Sequence, residues 1–318
     1  MIFYCNGNFS VKGNFAGTVV SGLRYKVSGL VGLYGRILQI TANSIELVED
    51  DNANDAVIAS FLRNNFDGIG DKTSLGMAKE YGENILEELL KRPKTVAKSV
   101  AGLSEKRALS MSDKITEGKD YLTQILKMRI LGVSEDHAKK AYDMFGMACA
   151  SEIDRNPYLL LRINGVGFDT CEYIARNKDI DRFDRMRLLG AILSVLNDIH
   201  YSSGNTYISK NELKAGVSSL IFDKANNACD TCTDRITCDL NPNNCSNFDK
   251  GFADAVLFGV NNDDIVVYHF EDGKCSGCGL NSEDARIAIK RIFKIEAGIK
   301  REIESFVNAT KPEFDYDL

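Results

Sequence analysis

Phe66-Asp67-Gly68-Ile69-Gly70-Asp71-Lys72-Thr73 joins two stretches of helical spacing, and the same small unit returns three times further along the chain. The echoes are Val100-Ala101-Gly102-Leu103-Ser104-Glu105-Lys106-Arg107, Ile130-Leu131-Gly132-Val133-Ser134-Glu135-Asp136-His137 and Ile163-Asn164-Gly165-Val166-Gly167-Phe168-Asp169-Thr170. Their first glycines fall 34, 30 and 33 residues apart, a period that fits a helix, a tight hairpin and a second helix. The first glycine admits the positive φ of a sharp turn, and the apolar residue beside it plugs the gap between the helices. The second small residue leaves backbone bare where the next helix starts. Such a start presents unpaired N–H groups and a partial positive charge, which suits a phosphate. Main-chain donors read no base, so the contact would be independent of sequence.

A single Gly-apolar-Gly turn serves equally well as a plain joint between packed helices, whereas four copies favour a polyanion. The candidate contacts are Gly68, Ile69, Gly70, Lys72 and Thr73 in the first copy, and Gly102, Ser104, Lys106 and Arg107 in the second. Gly165, Val166, Gly167 and Thr170 supply the fourth. Lys91, Arg92, Lys94 and Lys98 join them, because only Glu105 opposes the six basic residues between 91 and 107. The third copy carries Glu135 and Asp136 and suits packing better than phosphate.

A chain of 318 residues with 44% hydrophobic and 26% charged side chains can bury two or three small cores, which excludes a disordered tail or a disulfide miniprotein. The net charge of −6 argues against coating nucleic acid by charge alone. That charge is uneven: residues 61–210 hold 23 basic and 21 acidic side chains, whereas 211–318 hold 12 and 19. The middle is the anion-facing part. The longest apolar run, Leu188 to Leu196, is broken by Gly190 and Ser194 and cannot span a bilayer, and Met1 to Cys5 runs at once into polar residues. A reducing cytoplasm is the expected location, where cysteines serve as small hydrophobes or metal ligands.

Five segments are expected, in a mainly α, α+β fold. Residues 1–55 alternate branched and aromatic residues between Gly13, Gly17, Gly22, Gly29, Gly32 and Gly35, which reads as a small curved barrel. Residues 56–122 and 123–202 are two pairs of helix-hairpin-helix units. Residues 203–280 form a Cys-rich β region, with strands over Phe252 to Phe258 and Asp264 to Phe270 joined by Asn261-Asn262. Residues 281–318 are an amphipathic helix and tail, with Ala288, Ile292, Ile295, Ile299, Ile303 and Phe306 at helical spacing and Asp284 placed to cap back to Asn281.

Six of the nine cysteines lie at Cys229, Cys232, Cys238, Cys245, Cys275 and Cys278. Two Cys-x2-Cys knuckles whose thiolates converge make the usual structural zinc site, and the Asp- and Asn-rich loop between them has little else to fold around. A four-iron, four-sulfur cluster on the first four is the alternative. Cys5, Cys149 and Cys171 sit among apolar neighbours as buried filler. Three histidines are too few for a His-based active site, and the acids at Glu49, Asp50, Asp51 and Asp55 read as a solvated linker.

Taken together, the four units resemble the tandem helix-hairpin-helix repeats that follow an oligonucleotide-binding (OB) type barrel in the N-terminal region of RecD-like 5′-to-3′ DNA helicases. Arg155-Asn156-Pro157-Tyr158-Leu159, followed by Gly165-Val166-Gly167-Phe168, is similar to the Asn-Pro-Tyr and Gly-Ile-Gly-Phe of that family. Gly204-Asn205-Thr206-Tyr207-Ile208 is similar to its Gly-His-Thr-Tyr-Leu turn, with Asn in place of His. The resemblance spans about residues 9–215. It implies DNA binding at a duplex or single-strand junction, in repair, recombination or replication, with motor domains in cis or another repair protein as partner and no membrane.

The chain departs from the family in having no Gly-x-x-x-x-Gly-Lys-Ser/Thr; Gly68 to Thr73 is too short to wrap a triphosphate. It is therefore expected to be no enzyme by itself and to bind no nucleotide. It reads as the accessory region, as a piece of a longer chain or as a product that lost the motor. Ser104 and Ser134 stand where the second glycine would be. RuvA, the junction scaffold, shares the barrel-then-hairpin order but has one pair and no Asn-Pro-Tyr. A RuvA-like tetramer, a partner-docking module without DNA binding, and a lyase acting through Lys72 are the rival expectations.

Overall fold

The computed structural model describes residues 2–5, 9–13, 25–35, 37–47, 53–222, 246–271, 274–277 and 284–308. Two compact units divide the chain, Met1–Asp179 and Ile180–Leu318.

The first unit opens with strands β1 (Ile2–Cys5), β2 (Phe9–Lys12), β3 (Tyr25–Tyr34) and β4 (Ile37–Leu47). They form a four-stranded sheet in the order β1-β2-β4-β3, with β2 and β4 parallel and the other pairs antiparallel. Branched residues at alternate positions favour extended backbone here, and Val11 on β2 is fully buried. Residues 14–24, part of the segment expected to complete a barrel, lie outside the described residues.

Eight helices follow: α1 (Ala53–Asn65), α2 (Asp71–Tyr81), α3 (Ile85–Lys91), α4 (Pro93–Ser99), α5 (Glu105–Ile130), α6 (Glu135–Phe145), α7 (Cys149–Arg155) and α8 (Phe168–Asn177). Short 3-10 turns at Gly82–Asn84, Gly146–Ala148 and Pro157–Arg162 link them. α5 bends at Gly118, whose φ of −128° leaves the helical region, so its first half closes the second hairpin and its second half opens the third. The core consists of the inward stripes: Ile58, Phe61, Leu62, Met77, Ile85, Leu89, Ile115, Ile125, Met128, Ile153 and Leu160 are all essentially inaccessible.

The second unit holds α9 (Arg185–Ser203), β5 (Tyr207–Ser209), α10 (Lys210–Ile221), α11 (Ser246–Asn261), β6 (Ile265–Glu271), β7 (Lys274–Gly277), β8 (Arg286–Ile289) and α12 (Lys290–Asn308). α9 ends on Gly204 in the left-handed region, and Ser209 with Glu212 makes a reciprocal capping box at the start of α10. The strands pair antiparallel in the order β5-β8-β6-β7. β8 inserts between β5 and β6, and β7 lies at the sheet edge beyond β6.

Two sequence expectations are corrected. Residues 252–258 are helical, not a strand: Phe248, Phe252, Ala255, Val256 and Gly259 are buried at helical spacing, a stripe that begins before the window read as alternating. The long helix starts at Lys290, not near residue 281, because Arg286–Ile289 is drawn into the sheet between β5 and β6. The strand expected over 264–270 is present as β6. Of the apolar stripe on α12, Ile292 is buried, whereas Ile295, Ile299, Ile303 and Phe306 are exposed. Among the described residues no helix is long and apolar enough to cross a membrane.

Candidate nucleic-acid interface

All four repeated corners turn as their glycines require: φ is +73° at Gly68, +83° at Gly102, +92° at Gly132 and +93° at Gly165. Ile69, Leu103 and Val133 are buried as plugs between the flanking helices, and Val166 is half-buried. Ile69 and Val166 can thus offer only main chain to a ligand. The residue after each plug is the N-cap of α2, α5, α6 or α8 in turn.

The caps differ in a way that bears on binding. Gly70 and Gly167 provide no side-chain acceptor, so the first amides of α2 and α8 keep no capping partner. Ser104 accepts from the Arg107 amide at 3.3 Å, and Ser134 accepts from the His137 amide at 3.2 Å. The serine corners therefore satisfy internally one donor that the glycine corners leave open.

Corners also meet in pairs. A Cβ on Gly68 would lie 3.4 Å from Arg107 Nε, and one on Gly102 would lie 2.8 Å from Thr73 Oγ1. In the second pair a Cβ on Gly165 would lie 3.4 Å from His137 Nε2, and one on Gly132 would lie 2.6 Å from Tyr173 Cε1. Each corner is thus flanked by a side chain from the helix that follows its partner corner. Thr73 Oγ1 donates to the Ala101 carbonyl at 3.5 Å, and Lys140 Nζ donates to the Asn164 carbonyl at 3.2 Å. Sequence reasoning missed Lys140 and His137 as neighbours of the fourth corner, since nothing local reveals a contact made across more than twenty residues.

Lys72, Lys106 and Arg107 are exposed beside the first two corners, while Thr73 and Thr170 are half-buried. Asp71, the acid of the first corner, is ion-paired with Arg63. The basic patch proves smaller than its sequence suggested. Lys91 pairs with Glu87 and Arg92 with Glu88, one turn back on α3, where both acids precede the 91–107 window. The hydrogen bond that the Lys91 ammonium donates to Glu87 holds its pKa above the usual range. Lys94 and Lys98 are exposed and make no ion pair among the described residues.

Asn156-Pro157-Tyr158 is structural. Asn156 Oδ1 caps the Tyr158 amide at 3.1 Å, the Tyr158 ring stacks on Phe168 at 5.7 Å, and its hydroxyl donates to buried Glu172. The segment thereby fixes α8, whose start forms the fourth corner.

Cys229, Cys232, Cys238, Cys245 and Cys278 lie outside the described residues, and Cys275 lies on β7 opposite Phe270. Cys149 and Cys171 are buried free thiols, and burial pushes both thiols up from their ordinary pKa. Among the described residues no group of three or more His, Cys, Asp or Glu side chains is placed to hold a metal.

Residues 117–207 match the family described as the ATP-dependent RecD2 DNA helicase HHH domain. The match begins beside the bend at Gly118 and ends on β5, so it takes in the third and fourth corners, the Asn-Pro-Tyr segment and α9. The second pair thus lies within a stretch that is similar to a helix-hairpin-helix domain of that helicase family.

Proposed function

We propose that this chain binds DNA without regard to sequence, as the accessory region of a RecD-like helicase, through the main-chain amides of its helix-hairpin-helix corners. The observation that carries the reading is the repeated corner: a left-handed glycine, a buried plug and a helix start exposed at Gly70, Ser104 and Gly167. Lys72, Lys106 and Arg107 add charge-assisted contacts to neighbouring phosphates. Because these donors reach only the backbone of DNA, they position the protein and carry no base preference.

The second unit is a poorer grip. Its α11 turns Asp249, Lys250, Asp254, Leu257 and Val260 outward, two acids against one lysine. Exposed Ile295, Ile299, Ile303 and Phe306 on α12 favour a protein neighbour for this unit, and a motor domain fits that role. The N-terminal sheet would belong to an OB-like barrel, and the six clustered cysteines would hold a structural zinc ion. The chain itself supplies no triphosphate loop, so ATP-driven movement would belong to its partner.

Fluorescence anisotropy on unrelated labelled duplexes across a salt series tests this directly. Equal affinities with a shallow negative slope of log K against log salt are expected, because few phosphates are neutralised. Absence of binding at low salt, or a strong preference for one sequence, would overturn it.

A further inference from the structure

The two pairs are copies of one unit. Gly68, Gly82 and Pro93 recur 64 residues later as Gly132, Gly146 and Pro157, with every glycine again at positive φ and each proline again opening a helical turn. The copies have diverged at one corner. We propose that the third corner is a joint and not a grip: it fixes the first pair to the second, so DNA is held at three corners, two from the first pair and one from the second. This rests on the DNA-binding reading above.

Exposure separates the corners first. Gly68, Gly70, Gly102, Ser104, Gly165 and Gly167 are exposed, but Gly132 and Ser134 are half-buried, with the Tyr173 ring over Gly132. Chemistry separates them again. Glu135, the first residue of α6, accepts from the Asn64 side-chain amide at 2.8 Å, lies 3.5 Å from that of Asn65, and pairs with Lys139 at 3.1 Å. Each of the four helices that start at the corners carries an acid in its first turn, but α6 carries two, Glu135 and Asp136, so a phosphate approaching it would meet the greater negative charge. Buried Arg129 donates to the Val133 carbonyl at 3.1 Å, holding the turn from within.

The partners of Glu135 show what the joint controls. Asn64 and Asn65 are the last residues of α1, and the chain passes from them straight into the first corner. Lys114 of α5 holds the Asn65 carbonyl from another side at 2.7 Å. The end of α1 is thus clamped between α5 and α6, and the direction in which Gly68 to Gly70 points is set relative to Gly165 to Gly167. Glu135 is a positioning residue for the first corner, acting through Asn64 and Asn65.

An aspartate scan of the N-caps tests the division. Asp is a favoured N-cap, and a Cβ at Gly70 or Gly167 meets nothing within 4 Å, so the substitutions keep the helices while placing a negative charge at the corner. In anisotropy with a mixed-sequence duplex, Gly70→Asp, Ser104→Asp and Gly167→Asp should each weaken binding about tenfold and flatten the salt slope by about one. Ser134→Asp should stay within about twofold of the parent. Loss at Ser134→Asp equal to the others overturns the joint while leaving DNA binding intact. A parent that binds no DNA at low salt instead removes the underlying reading.

The positioning role has its own readout. Glu135→Ala should weaken binding and flatten the salt slope without changing the urea m value, and Glu135→Gln, which keeps an acceptor for the Asn amides, should restore most of the slope. A Glu135→Ala protein with an unaltered slope overturns the positioning role.

Discussion

Replacing Gly132 by alanine tests the reasoning about the third corner most severely. At φ +92° a residue with a Cβ pays roughly 1–2 kcal/mol for the left-handed backbone alone. The new methyl would also stand 2.6 Å from Tyr173 Cε1 and 3.1 Å from Cδ1, well inside contact distance, so the ring or α8 must move. Overpacking of this kind adds about 1–3 kcal/mol. Gly165, the equivalent glycine of the fourth corner, offers the control: its φ of +93° matches that of Gly132, but a Cβ there meets only His137 Nε2 at 3.4 Å, an ordinary contact. Gly165→Ala should therefore cost about 1–2 kcal/mol and Gly132→Ala about 2–5 kcal/mol. In a unit the size of Met1–Asp179, each kcal/mol moves the melting midpoint by about 2–4 °C. Urea unfolding at constant m value measures both variants. If Gly132→Ala is no worse than Gly165→Ala, Tyr173 does not close over the third corner.

Other outcomes follow from the same geometry. Lys72→Ala and Lys106→Ala should each flatten the salt slope of DNA binding by about one, whereas Lys91→Ala, whose ammonium is already paired with Glu87, should change it by less than half as much; anisotropy over a salt series decides between them. Burial lowers the His137 pKa, and Lys140 lowers it further against the opposing pull of Asp136, so the folded protein favours the neutral ring. The unfolded chain then takes up the proton first. Stability from this residue is present above about pH 6.5 and is lost as pH falls through the lower folded value. The urea midpoint of the parent should accordingly fall faster between neutral and acid pH than that of His137→Gln. Elemental analysis of protein purified without added metal should find zinc, and its removal by a chelator should lower the melting midpoint; iron with visible absorbance would assign the cysteines to a cluster instead.

The corners were legible because their demand is local. A positive φ needs glycine at the turn itself, and the buried plug follows at the next position, so four eight-residue windows carried the signal without tertiary information. Strand and helix were confused where the deciding pattern crossed a window edge. Phe252 to Phe258 looks alternating only when Phe248 is left out, and with it the buried positions fall on one helical face. Arg286–Ile289 carries a helical stripe in sequence, yet a partner on each side gives its main chain a ladder that no single-segment reading can see.

Charge was the least legible property, because sign and position in sequence do not reveal who is already paired. Lys91 and Arg92 lie in a basic window by sequence, yet Glu87 and Glu88 pair with them from one turn back. Glu135 counted only as a defect in the third corner, although its two asparagine partners lie about seventy residues away at the end of α1. The same acid that spoils a phosphate site makes a hydrogen-bond acceptor for a neighbouring helix. One copy of a duplicated corner could therefore give up its grip without leaving an unsatisfied group behind, and in doing so it gained control over where an unaltered copy points.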